Sequence, residues 1–184
     1  WGTDRPVWVA ASTHEGEEEP LLKVHRRILA QLPRALLVLV PRHPERFDRV
    51  AALAGRLGLP PVRRSTGGRC GPEDAVFLGG TMGALPVLSA AADAAFIGGS
   101  LVPVGGHNLL EAAAAGVPVA IGPHAFNFAQ ITELLVQEGA AVQVADADEL
   151  ASLMIDWLSD ATSRARIGEN GRRVVERNRG ALAR

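Results

Sequence analysis

Apolar and polar residues alternate along this chain in blocks. Residues 6–11 and 35–40 are short runs rich in Val and Leu, the pattern of strands buried on both faces. Between them, 17–32 opens on acids and carries its basic residues later, an order that suits the dipole of a helix. The alternation then repeats. Helices are predicted over 44–57, 85–91, 108–115, 127–138, 146–160 and 162–178. Strands are predicted over 61–64, 75–78, 94–98, 117–121 and 141–144, and the Gly- and Pro-bearing stretch 65–74 reads as a loop. The helix over 146–160 has the clearest face. Leu150, Leu153, Met154, Trp157 and Leu158 recur at i, i+3, i+4, i+7 and i+8, and Asp146 or Asp148 is placed to cap it.

Strands and helices in turn, joined by short loops, predict an α/β fold: a Rossmann-like parallel sheet with helices on both faces. No internal repeat or long linker divides the sequence, so 1–184 reads as a single domain. In such sheets ligands settle at the carboxyl ends of the strands. The loops that follow each strand are therefore where chemistry is to be sought.

Composition narrows the picture further. The chain has 184 residues, 47% hydrophobic and 21% charged, with a formal net charge of -1. That is a globular composition, with no overall pull toward nucleic acid. A single cysteine, Cys70, cannot form an internal disulfide. It lies in the turn-like Arg69-Cys70-Gly71-Pro72 with no activating base beside it, a poor setting for a nucleophile. The first residues lead straight into a strand with no signal-peptide pattern, and the missing initiator Met reads as a piece of something longer. No apolar run reaches the ~18 residues that span a bilayer. The stretch 162–184 holds seven of the 19 basic residues against two of the 20 acidic ones. A solvated basic helix and a face toward anionic lipid both remain open there.

Four post-strand loops carry candidate chemistry. The fourth, Gly98-Gly99-Ser100-Leu101-Val102-Pro103-Val104-Gly105-Gly106-His107-Asn108, is the richest. Its glycines allow close backbone approach, and a helix starting near Asn108 would turn free N–H groups toward a phosphate. Glu111, one turn in, could accept hydrogen bonds from a ribose diol. Asn108 and Glu111 equally match a capping box, and the two roles are compatible. In the second loop, Pro41-Arg42-His43-Pro44, the Arg42 guanidinium suits phosphate. In the first, Ser12, Thr13 and His14 sit at a strand end, whereas Glu17, Glu18 and Glu19 read as an acidic first helical turn. These acids do not by themselves make a metal site. The third loop is Gly79-Gly80-Thr81-Met82-Gly83. A fifth and weaker one holds His124.

In order along the chain, these loops resemble the signatures of one family. They are Ser12-Thr13-His14-Glu15-Gly16-Glu17-Glu18, then Pro41-Arg42-His43-Pro44-Glu45-Arg46, then Gly98-Gly99-Ser100-Leu101 with Gly105-Gly106-His107-Asn108 and Glu111. Gly122-Pro123-His124 with Asn127-Phe128 completes the set. Together they look like the lipid IVA-specific 3-deoxy-D-manno-octulosonic acid (Kdo) transferases. The resemblance implies one half of a GT-B glycosyltransferase of lipopolysaccharide assembly. Such an enzyme transfers Kdo from CMP-Kdo to lipid A precursor with inversion, with no metal or other cofactor, at the cytoplasmic face of the bacterial inner membrane. Only the C-terminal, donor-binding domain is matched. The acceptor site, membrane anchor and catalytic base are expected in an N-terminal partner domain, so this chain alone is expected to be inactive and to hold no catalytic residue.

The same resemblance places donor contacts at Pro41, Arg42 and His43, at Thr81, Met82 and Gly83, and at Gly106, Asn108 and Glu111. Ser12, Thr13, His14, Gly99, Ser100, Gly105 and His107 are further candidates around them. The family usually has acids at the positions of Gly80 and Ala84, which puts any carboxylate contact there in doubt. Two other readings compete. One is the donor domain of a UDP-sugar GT-B transferase or epimerase. The other is a non-catalytic α/β binding module.

Overall fold

The structure is a computed structural model, and it describes residues 5–63, 71, 73–79 and 91–182. Its described strands are β1 (Val7–Thr13), β2 (Leu36–Pro41), β3 (Val62–Arg63), β4 (Val76–Leu78), β5 (Ala94–Ile97), β6 (Val119–Ile121) and β7 (Ala141–Gln143). They form one parallel sheet in the order β3-β4-β2-β1-β5-β6-β7. The direction of winding reverses between β1 and β5, so the crevice at their carboxyl ends is the topological switch point.

Strand parity divides the interior into two cores, because successive side chains point to opposite faces of a sheet. Trp8, Ala10, Leu37, Leu39 and Phe96 face one way. They pack against Leu21, Leu22 and Ile28 of helix α1 (Glu18–Gln31), Val50 of α2 (Phe47–Arg56) and Met154 of α5 (Ala147–Ser159). Val9, Leu36, Val38, Ile97 and Ile121 face the other way. They meet Ala113 of α3 (Leu110–Ala114), Leu135 of α4 (Ala129–Gln137) and Val174 of α6 (Ala161–Leu182). β1 and β2 are buried along their whole lengths, as the Val- and Leu-rich runs predict.

The element boundaries move for local reasons. The predicted helix 44–57 begins as a 3-10 turn, Pro44–Arg46, and 127–138 likewise begins with Phe126–Phe128. Asp146 is the cap of α5, its side chain accepting from the Glu149 amide at 2.9 Å. Leu150, Met154, Trp157 and Leu158 are buried as their spacing requires, and Leu153 is partly buried against the same cluster. All but the last residue of the predicted helix 85–91, most of the loop 65–74 and Cys70 lie outside the described residues.

α6 carries the basic surplus. Arg172 and Arg173 lie 4.0 and 3.7 Å from Glu169, Arg177 pairs with Glu138 at 3.1 Å, and Arg179 lies 3.8 Å from Glu176. Arg164 donates to the Trp157 carbonyl. Of these contacts only that with Glu138 adds a counter-charge from outside the stretch 162–184, and Arg172, Arg173, Arg177 and Arg179 remain largely exposed. Among the described residues, no helix is long and apolar enough to cross a membrane.

One buried polar contact links the central strand to the first core. The Trp8 indole N–H donates to His25 Nδ1 at 3.1 Å, and His25 Nε2–H donates to the Ala75 carbonyl at 2.7 Å. That pattern fixes a neutral imidazole, and burial pushes its pKa down to about 4 from 6.5. Below pH 6.5 the unfolded chain therefore takes up a proton that the folded chain refuses, and stability declines as pH falls toward 4. Urea midpoints taken between pH 7.5 and 4.5 should drop more steeply for the native chain than for His25→Gln. Equal slopes would remove His25 from the acid response.

Candidate functional site

The first and fourth loops are joined by a buried carboxylate. Glu17 is fully buried at the entrance to α1. Its Oε1 accepts from the amides of His14 at 2.9 Å and Gly99 at 2.7 Å. Its Oε2 accepts from those of Ser100 at 3.2 Å and Leu101 at 3.0 Å. Burial raises the Glu17 pKa above its usual 4.5, and the four amides pull it back down. Every partner is an N–H donor, so the ionised form is the one that satisfies the site. Glu18, also buried, holds Arg46 through both guanidinium nitrogens at 2.8 and 3.0 Å, which fastens α1 to the turn after β2. Glu19 alone fits the expectation of a solvated first-turn acid, 3.3 Å from Lys23.

Five amides of the glycine-rich loop are committed within the fold and are not turned toward a phosphate. The amides of Gly99, Ser100 and Leu101 are taken by Glu17, and those of Gly105 and Gly106 donate to the Gly99 carbonyl at 3.0 and 2.9 Å. The Ser100 hydroxyl is buried, donating to the Ile97 carbonyl and accepting from the Gly122 amide at 2.8 Å. Gly99, Ser100, Gly105 and Gly106 thus shape the site from beneath. Ser12 and Thr13 are buried too, with Ser12 at φ 61° where β1 loses register with β2. A Cβ on Gly98 would collide with the Ser12 carbonyl, and one on Gly122 with that of Ser100. The first, fourth and fifth loops therefore stack backbone on backbone.

The helix after the fourth loop starts later than predicted, at Leu110 with Leu109 as its N-cap. Asn108 accepts from the Leu110 amide at 2.9 Å as a local turn, so the predicted capping box with Glu111 does not form. Instead the side chains of Asn108 and Glu111 are exposed.

Above this scaffold the sheet gathers a cationic and imidazole cluster. The Arg42 amide donates to the Thr13 carbonyl at 2.8 Å, which binds the second loop to the first. His14 meets His107 in a stacked pair with centroids 5.0 Å apart. His43 approaches His14 edge-on at 5.4 Å. Burial lowers the pKa of both paired rings, helped by His43 and Arg42, and takes His107 to about 4. The Arg42 side chain is exposed, and Pro41 closes β2 beneath it. Among the described residues, no group of three or more His, Cys, Asp or Glu is placed to hold a metal ion. Thr81, Met82 and Gly83, with Gly80 and Ala84, lie outside the described residues.

Sequence reasoning missed Glu17 and Glu18 as buried parts of the site. An acid at the start of a helix looks the same in sequence whether it faces solvent or a loop more than 80 residues away. The signal available was Glu17 directly after Gly16, four residues beyond the buried strand end.

Comparison with known proteins gives a consistent picture. The family model of glycosyl transferases group 1 matches residues 68–174. The 3-deoxy-D-manno-octulosonic acid transferase of Haemophilus influenzae is 46% identical over all of this chain and 43% of its own length. That of Bordetella pertussis is 42% identical over 99% of this chain and 44% of its own. The chain thus spans under half the length of these curated relatives. Among solved structures, the C-terminal CMP-Kdo binding domain of WaaA from Acinetobacter baumannii superposes with a TM-score of 0.88 and 34% identity. The match covers 94% of this chain and 90% of that one.

The Glu17 clamp has a direct consequence for stability. Glu17→Ala leaves several buried amides without an acceptor, at ~1–3 kcal/mol each, and should cost about 3–5 kcal/mol by chemical denaturation. The exposed Glu19→Ala should stay within about 0.5 kcal/mol of the native chain. A Glu17→Ala chain as stable as the native one would deny the clamp its structural role.

Proposed function

The chain belongs to the Kdo transferase family within the group 1 glycosyl transferases, as a C-terminal donor-binding domain of GT-B fold, and from that premise we propose that it binds CMP-Kdo. The observation that carries this reading is the match, over 90% of its length, to a domain named for CMP-Kdo binding. The geometry supports it. Arg42, exposed at the end of β2, offers a planar cation to the donor phosphate. The three histidines sit beside it at the switch point. Exposed Asn108, on the loop after β5, and Glu111, in the first turn of α3, are the groups this reading assigns to the ribose. The donor's charge is met by side chains, and the reading assigns no metal or cofactor.

In this reading the full-length protein transfers Kdo to a lipid A precursor at the cytoplasmic face of the inner membrane. The acceptor and the catalytic base come from a second domain across the cleft, consistent with relatives about twice as long as this chain.

Titration calorimetry should show CMP bound in preference to UMP and GMP. Loss of that preference sinks the CMP assignment, and a preference for UMP would favour a UDP-sugar enzyme. No nucleotide binding at all would favour a non-catalytic module. Arg42→Ala should weaken CMP binding by about 1.5–3 kcal/mol, the range for a hydrogen bond to a charged group. An unchanged affinity would remove Arg42 from the donor site.

A further inference from the structure

The contact between the two near-parallel histidine rings has an unusual chemistry. His14 Nε2 and His107 Nε2 lie 2.7 Å apart, with ring planes only 4° from parallel. Two nitrogens this close need one proton between them, one ring donating N–H and the other offering a lone pair. The contact accommodates a pair with no net charge or with one positive charge. It excludes two charges, since both Nε2 atoms would then carry hydrogen. The floor beneath the pair is Gly99, at φ 73°, where a Cβ would press on both rings. That backbone is held by Glu17, which fixes the floor on which the two imidazoles rest.

The groups that face this pair come from two directions. From the second loop come Arg42 and His43, both of which oppose a proton on either ring. From α1 and its entrance come Glu18 and Glu17. Glu18 favours charge on His14 but is already bonded to Arg46, which opposes it. Glu17 is bonded to four amides. Neither ring therefore has a carboxylate partner of its own among the described residues. Burial and the neighbouring cations keep the pair uncharged near neutral pH, with His107 at about 4. What the cluster lacks is one negative charge.

We propose that the His14–His107 pair is an anion receptor that takes up one proton when an anionic group of the donor docks beside Arg42, so that donor binding and protonation are coupled. The assignment of the anion to a donor rests on the CMP-Kdo reading; the proton uptake rests on the pair itself. The bound anion supplies the missing counter-charge, a ring nitrogen gains a proton from solvent, and no covalent bond changes. Affinity for an anion of fixed charge then rises as pH falls through the midpoint of the bound pair. It levels off below the midpoint of the free pair.

Histidine NMR titration of the chain with and without sulfate tests the receptor directly, since sulfate keeps its charge throughout the range. The His14 and His107 midpoints should move up with sulfate, while His25, buried against Trp8 and Ala75, should not. Calorimetry with cytidine 5′-methyl phosphate, a diester of fixed single charge, should show affinity rising by up to about ten-fold per pH unit on acidification, the limit for one linked proton. Cytidine, with no anion, should show no such rise, and His107→Gln should flatten the diester response. Midpoints unmoved by sulfate or diester overturn the proposal. So does a diester response that survives in both His14→Gln and His107→Gln. Sulfate-shifted midpoints with no preference for cytosine over uracil uphold the receptor and overturn the CMP-Kdo reading. A cytosine preference with unmoved midpoints does the reverse.

Discussion

A single buried carboxylate sets the geometry on which the candidate site depends. Glu17 neutralises four amides that the turn after β1 and the glycine-rich turn after β5 would otherwise leave facing each other unpaired. Buried donors without acceptors cost ~1–3 kcal/mol each, so neither turn is stable in this form without the other. With Glu17 in place the two turns become one surface. Ser100 extends that surface to the turn after β6 by bonding the Gly122 amide. The Arg42 amide extends it to the turn after β2 by bonding Thr13. The switch point is thus a single hydrogen-bonded plate made from four separate loops.

The sheet that carries the plate was legible in the sequence because its central strands are buried on both faces. A Val- and Leu-rich run such as 35–40 has few other uses in a globular chain. The α5 helix was legible for the opposite reason, since only one of its faces is buried and the 3.6-residue period shows through. The loops were legible as places, through strand ends and glycines, and less so as chemistry. A loop dense in glycine predicts amides turned toward a ligand, yet here they are turned toward Glu17 and Gly99. Local sequence cannot separate these outcomes, because the acceptor is supplied from 82 to 84 residues away. The same holds for the histidines. His14, His43 and His107 lie on three loops, and only the strand order brings them together. At Asn108 the sequence offered a helix cap and a ligand group at once. The structure uses its side-chain Oδ1 in a turn two residues before the helix start and leaves the side chain exposed.

The strand ends at the switch point gather backbone and side chains with separate tasks. The backbone supplies shape, while Arg42, the histidine cluster, Asn108 and Glu111 supply the groups that can meet a ligand. The acidic residues of the first loop, which invite a metal or a solvated helix start when read in sequence, are divided among three tasks. Glu17 holds amides, Glu18 holds Arg46, and Glu19 faces solvent beside Lys23.

A plate whose central amides are bonded within the fold has a consequence for how such a site can change over time. Where backbone N–H groups grip a ligand directly, altering the ligand means altering the chain path, which the close approaches of Gly98 and Gly122 forbid. Here the path of the two turns is fixed by Glu17, and exposed side chains such as Arg42, Asn108 and Glu111 stand around it. Substitutions at those positions can change the groups presented at the switch point without disturbing the floor beneath.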